Sequence, residues 1–152
     1  MKKAFTMIEI VFVVVILGIL TAVAIPKFGS LLEDAYLSKG KETVASIRSS
    51  IINERQKRLI QGQTGYAEIL DDAGTGDGEP LFDGNDTVEM FRYPVYSGTD
   101  AGKWKKTTNN SGDTIGYRYY LTKNKSVDFT YTKSDGTFDC DHTDDNCKLL
   151  TE

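Results

Sequence analysis

From Phe5 to Ile25 the chain reads FTMIEIVFVVVILGILTAVAI, an apolar run in which Glu9 is the sole charged residue. As a helix these positions extend roughly 31 Å, a match to a hydrocarbon core of about 30 Å. Lys2 and Lys3 precede the run. Positive charge on that side keeps the N-terminus cytoplasmic and sends the residues after Pro26 across the membrane. A cleaved secretory signal fits less well, because its apolar core is shorter, about 7 to 15 residues, and no clean small-x-small cleavage site follows this run.

The pattern then changes without losing its helical period. Phe28, Leu31, Leu32 and Ala35, followed by Val44, Ile47, Ile51, Ile52 and Leu59, form an apolar stripe,. Lys39, Lys41, Glu42, Arg48, Glu54, Arg55, Lys57 and Arg58 are read as the opposite, charged face. Basic residues followed by Gly62 are a C-terminal signal. A helix over 5–61 is predicted, with 5–25 membrane-spanning and 26–61 amphipathic. Pro26 has no amide hydrogen and predicts a bend or local loosening at the membrane exit. Gly18, Thr21 and Ala22 are small enough to admit a neighbouring helix.

From position 62 to 152 the composition changes, and a globular β head with loops is predicted. DDAGTGDGEPLFDGND, Asp71 to Asp86, is rich in turn formers and acids and predicts a long connecting loop,. Strands are predicted over Met90–Tyr96, at an edge because it contains Pro94, then over Ile115–Thr122 and Ser126–Thr132. Tyr117, Tyr119 and Leu121 alternate, as do Val127, Phe129 and Tyr131, and Lys123-Asn124-Lys125 between them predicts a tight hairpin,. An antiparallel sheet needs one face covered, and the stripe of residues 28 to 59 is the available cover. The predicted class is α+β: a long N-terminal helix packed on a small antiparallel sheet.

Composition narrows the function classes. A net charge of −4 supplies no bulk attraction for nucleic acid or an anionic surface,. His142 is the sole histidine, no Gly-x-Ser-x-Gly or phosphate loop occurs, and the acids cluster in loops, so no enzyme constellation is present,. Glu9 is the anomaly. A carboxylate in an apolar span points to a partner or a function, the plainer alternative being that it reaches back to the interface.

Lys2-Lys3-Ala4, then Phe5-Thr6-Met7-Ile8-Glu9-Ile10, then an apolar run containing Gly18 and ending at Pro26, resembles the leader and N-terminal helix of type IV pilins and type II secretion pseudopilins. The resemblance covers roughly the first 30 positions. It implies that residues 1–4 are a leader removed by a prepilin peptidase between Ala4 and Phe5, that Phe5 is then N-methylated, and that subunits polymerise through their helices at an inner-membrane assembly platform. The residue before the cut is usually Gly in that family, and Ala4 departs from it. Glu9 becomes the fifth residue, which the family pairs with the N-terminal amine of a neighbouring subunit. A lone carboxylate and a lone ammonium are each unfavourable in a low-dielectric bundle, and pairing relieves both. Glu9 and Pro26 are thus assembly candidates. The function implied is a structural subunit of a type IV pilus, secretion pseudopilus or competence filament, pilin-like in fold and not an enzyme. It would polymerise with itself or with other pilins, with its N-terminus cytoplasmic and its head periplasmic until it joins the filament. The alternative is a singly anchored exported binding module that does not polymerise.

Three weaker signals remain. In an exported chain Cys140 and Cys147 are expected to form a disulfide, whose short ring contributes about 2.5 kcal/mol in the loop-entropy model. A zinc site from Cys140, His142 and Cys147 is the rival, without the second paired module of structural zinc motifs. Asp139, Asp141, Asp144 and Asp145 are candidate Ca²⁺ ligands, the acidic 71–86 loop is another, and no EF-hand pattern is present. No cofactor besides Ca²⁺ is suggested. Lys103-Trp104-Lys105-Lys106 combines a ring with cations as DNA contacts do, against the simpler expectation of an exposed turn with a partly packed tryptophan,.

Overall fold

The computed structural model describes residues 5–110 and 112–152, without the side chains of 26–28 and 30. The expected leader, Ala4 included, therefore lies outside the described residues, as do the side chains of Pro26 and Phe28. The chain divides into two units, Met1–Ala35 and Tyr36–Glu152. Helix α1, Met7–Ile60, contributes to both.

Met7–Ile25 is a 19-residue stretch long and apolar enough to cross a membrane, and none of it is buried. Thr21 donates its hydroxyl to the Leu17 carbonyl at 2.6 Å, so this polar side chain is satisfied within its own helix,.

The second unit holds the core. Among the described side chains of α1, Gly40, Val44, Ile47, Ile51 and Glu54 are the buried positions. Their spacing follows one narrow helical face. Leu31, Leu32, Ile52 and Leu59, read from sequence as part of the covering stripe, are instead exposed. Ile52 is one residue, about 100° of helix, from the buried face at Ile51. Glu54 takes the covered position assigned to the charged face, with Arg58 Nε 3.4 Å from its carboxylate. Arg58 also donates to the Tyr66 carbonyl and Arg48 to the Phe138 carbonyl, so these arginines face protein neighbours as well as solvent. At Gly40 a Cβ would stand 2.6 Å from both Leu150 Cδ2 and Tyr119 Cε1, which explains a glycine inside a helix,. The helix stops as expected: Gly62 is left-handed at φ 79°, the Gly62 amide bonds the Leu59 carbonyl, and the Gln63 amide bonds the Arg58 carbonyl,.

Four strands form an antiparallel meander in the order β3 (Lys103–Lys106), β4 (Thr114–Thr122), β5 (Lys125–Thr132) and β6 (Thr137–Cys140). The β4–β5 hairpin turns at Lys123-Asn124, where Thr122 pairs with Lys125. Tyr117, Tyr119, Leu121, Val127, Phe129 and Tyr131 all point inward, as their alternation predicts. Helix α2, Asp145–Thr151, closes the chain with Cys147 and Leu150 buried.

Two expectations fail here. Lys103-Trp104-Lys105-Lys106 is not an exposed turn but edge strand β3, with Trp104 and Lys106 fully buried. Its charges concealed a period of two. The indole Nε1 has no hydrogen-bond partner, and the ring packs on Tyr119 and Phe129 at 4.8 and 5.3 Å. The strand expected over Met90–Tyr96 shrinks to β2, Val95–Tyr96, paired with β1, Pro80–Leu81, inside the segment read as loop. Pro94 immediately precedes the surviving pair.

The 71–86 segment is also more than a solvated connection, because Asp71, Leu81 and Phe82 are all fully buried. Lys106 Nζ donates to Asp71 Oδ1 at 2.6 Å and to the Ala73 carbonyl at 2.8 Å. Asp71 Oδ2 accepts from the Tyr117 hydroxyl at 2.8 Å and the Phe82 amide at 3.2 Å. Phe82 is the one non-glycine residue with positive φ among those described, at 60°. Its buried ring and its amide bond to Asp71 hold that costly conformation.

Buried tyrosines make the fold sensitive to base. Burial pushes the Tyr119 and Tyr131 phenols up to about 12. Burial, then the Asp71 carboxylate, pushes Tyr117 well above the ordinary range. Above pH 10 the unfolded chain releases these phenolic protons while the folded chain keeps them, so stability falls as pH rises, by about 1.4 kcal/mol per pH unit for each phenol. The loss begins near the unfolded value and continues until each folded value is passed. A pH titration of phenolate absorbance is expected to show these three tyrosines ionising late and together with unfolding. Titration of all eight at the ordinary value, with the fold retained, would contradict it.

Candidate functional site

The N-terminal segment carries Phe5, the expected cleavage and methylation residue, and Glu9, the expected assembly residue. Phe5 is exposed, and Thr6 stands immediately before α1 as its N-cap. The Glu9 carboxylate accepts from the Thr6 amide at 3.4 Å, while the Glu9 amide bonds the Thr6 hydroxyl at 3.4 Å and the Thr6 carbonyl at 3.1 Å. This reciprocal arrangement is a capping box. Thr6 was missed as a site residue, although Thr-x-x-Glu before an apolar run is the signature that finds it. The long hydrogen bonds hold Glu9 loosely, and a carboxylate has about four acceptor positions, so room remains for a cation. The first turn also favours a negative charge through the helix dipole. Further along the segment, a Cβ built on Gly18 meets nothing within 4 Å. Its surface can therefore receive another helix closely.

The C-terminal candidates separate in the structure. Cys140 and Cys147 are disulfide-bonded, with Cα atoms 5.8 Å apart. Asp139, Cys140 and Cys147 bring ligand-type atoms within 4.8 Å of one another, but both sulfurs are committed to the disulfide, which overturns the zinc reading,. His142 Nε2 lies 3.1 Å from Asp139 Oδ1, and Arg48 reaches that same oxygen at 2.9 Å. Asp139 thus ties α1 to the disulfide loop.

The other three acids have local duties. Asp141 binds the amide and hydroxyl of Thr143, which hold its carboxyl below the usual range. Asp144 caps α2 through the Asn146 amide, and Asp145 pairs with Lys148 at 3.2 Å. Each carboxylate serves a different partner, and the structure does not converge them on one point. In the acidic 71–86 loop, Asp71 is taken up by Lys106, and Asp77 pairs with Lys105 at 2.7 Å. The DNA reading of Lys103 to Lys106 loses its residues, since a fully buried Trp104 has no face to offer a base and Lys106 no route to a phosphate,.

Comparison with known proteins agrees with the resemblance carried by the N-terminal residues. Over 48 residues the chain is 44% identical to the type IV narrow pilus major component PilA5 of Thermus thermophilus. The relative is a pilin. The matched stretch is 32% of this chain and 41% of that protein, so the chain spans less than half the length of its relative. No family model and no solved structure matches. The long N-terminal helix and the small antiparallel sheets are consistent with a pilin-like α+β fold.

Proposed function

We propose that the chain is a structural subunit of a type IV pilus or of a related secretion or competence filament, and that it polymerises through residues 5–25. In this reading a prepilin peptidase cuts between Ala4 and Phe5, and the new Phe5 amine is methylated. The chain then rests in the inner membrane, N-terminus cytoplasmic, until an assembly platform adds it to the filament with copies of itself or other pilins. The observation that carries the proposal is a fully exposed apolar helix of 19 residues with an acid, Glu9, in its first turn. Lipid accommodates the first property, but the second needs a cation. The amine of a neighbouring Phe5 supplies one at the same depth, and only one axial register brings the two together. The pair sets alignment more than strength, since a buried ion pair adds little net stability over an apolar substitute. Gly18, Thr21 and Ala22 offer small side chains for helix packing in this reading, and Pro26 stays an assembly candidate.

The intact mass of the chain purified from its native membrane or filament tests this. Loss of Met1 to Ala4 together with gain of one methyl group is expected. A chain that keeps its initiator methionine and stays monomeric in the bilayer would be the non-polymerising binding module instead.

A further inference from the structure

Lys106 and Asp71 meet on the inner face of β3, both fully buried and 2.6 Å apart between Nζ and Oδ1. We propose that this is the site of a covalent modification made by the protein itself: condensation of the Lys106 amine with the Asp71 carboxyl to an intramolecular amide. This inference is independent of the filament reading.

The two carboxylate oxygens have different surroundings, and the difference matches the two fates that oxygens have in such a reaction. Oδ1 takes the hydrogen bond from Lys106, while Oδ2 takes one from the Tyr117 hydroxyl and one from the Phe82 amide. Proton transfer along the short Nζ–Oδ1 bond leaves a neutral amine beside a neutral acid. That change removes two charges from a fully buried site,. The nitrogen lone pair then attacks Cγ, the carbon that bears the oxygen already 2.6 Å from Nζ, so the reactants are held in place beforehand. The developing charge falls on Oδ2, where Tyr117 O–H and Phe82 N–H form an oxyanion hole. Burial keeps the Tyr117 phenol protonated for that duty. Nitrogen passes a second proton to Oδ1, the Cγ–Oδ1 bond breaks, and Oδ1 leaves as water. One C–N bond forms, one C–O bond breaks, and no oxidant or co-reactant is needed.

The product leaves no buried polar atom stranded. The amide oxygen keeps both of its donors. The amide N–H keeps the Ala73 carbonyl, now 2.8 Å from Nζ, as acceptor. The new bond ties the 71–86 segment to β3 across 35 positions of sequence, as the disulfide ties β6 to α2 across seven.

The test is the mass of the full chain purified folded, then denatured and reduced. It is expected to be lighter by one water than the sequence between its actual termini, with any N-terminal methyl included, requires, and trypsin is expected to release residues 59–92 joined to 106–118. A succinimide at Asp77-Gly78, Asp83-Gly84 or Asp135-Gly136 also loses one water, but it joins no two peptides. A mass deficit confined to such sites, or a wild-type chain at its full sequence mass, overturns the proposal. So does a Lys106→Arg chain that still yields the joined peptides.

Discussion

Glu9→Val is expected, on the filament role proposed above, to leave the chain inserted in the membrane and nearly absent from filaments. Valine lengthens the apolar run, so insertion does not suffer. The capping hydrogen bonds that Glu9 makes within its own chain are long and exposed, and their loss costs the isolated subunit little. The larger effect falls on the neighbour. A Phe5 ammonium packed among helices without a carboxylate is an uncompensated buried charge, and removing one partner of such a pair costs about 3–5 kcal/mol. Repeated at every subunit, that cost opposes each addition. Quantifying the chain in sheared filaments against the membrane fraction reads the effect, and normal incorporation of the variant would refute the pairing.

Asp71→Ala is expected to destabilise the second unit by about 3–5 kcal/mol, the cost of leaving a buried charge without its counterion. That is a large part of the 5–15 kcal/mol, roughly, by which a domain is stable. The alanine also strands the Tyr117 hydroxyl and the Phe82 amide, which share the lost oxygen. Asp128→Ala is the contrast. Its partner Arg118 meets it with two hydrogen bonds of 2.6 and 2.8 Å, but both side chains are over a third exposed, and such surface pairs contribute about 1 kcal/mol or less,. Thermal unfolding of both variants of the full chain in detergent is expected to separate them clearly, and equal melting temperatures would count against the central role of Asp71.

What was legible beforehand follows from where periodicity speaks alone. The apolar run, the Gly62 stop and the β4–β5 hairpin each rest on a local pattern that tertiary contacts do not reverse. β3 was hidden because three of its four residues are lysines, and the burial of Lys106 depends on Asp71, which lies 35 positions away in a segment that reads as solvated acid. Glu54 is a similar case: it is buried beside Arg58, and its charge gave no sign of that. The narrowing of the α1 stripe to Gly40, Val44, Ile47 and Ile51 reflects how little of the helix circumference one small sheet covers. At the N-terminus the assembly residues were readable from a motif, whereas Thr6 required attention to the amides that a helix start leaves unpaired.

The concealed indole of Trp104 has a practical corollary. It is the sole tryptophan, it lies wholly in the second unit, and its ring sits dry against Tyr119 and Phe129. Its fluorescence will therefore be blue while the sheet is intact and shift red when water arrives. Since the apolar run contains no tryptophan, that colour change isolates melting of the second unit from anything the apolar run does.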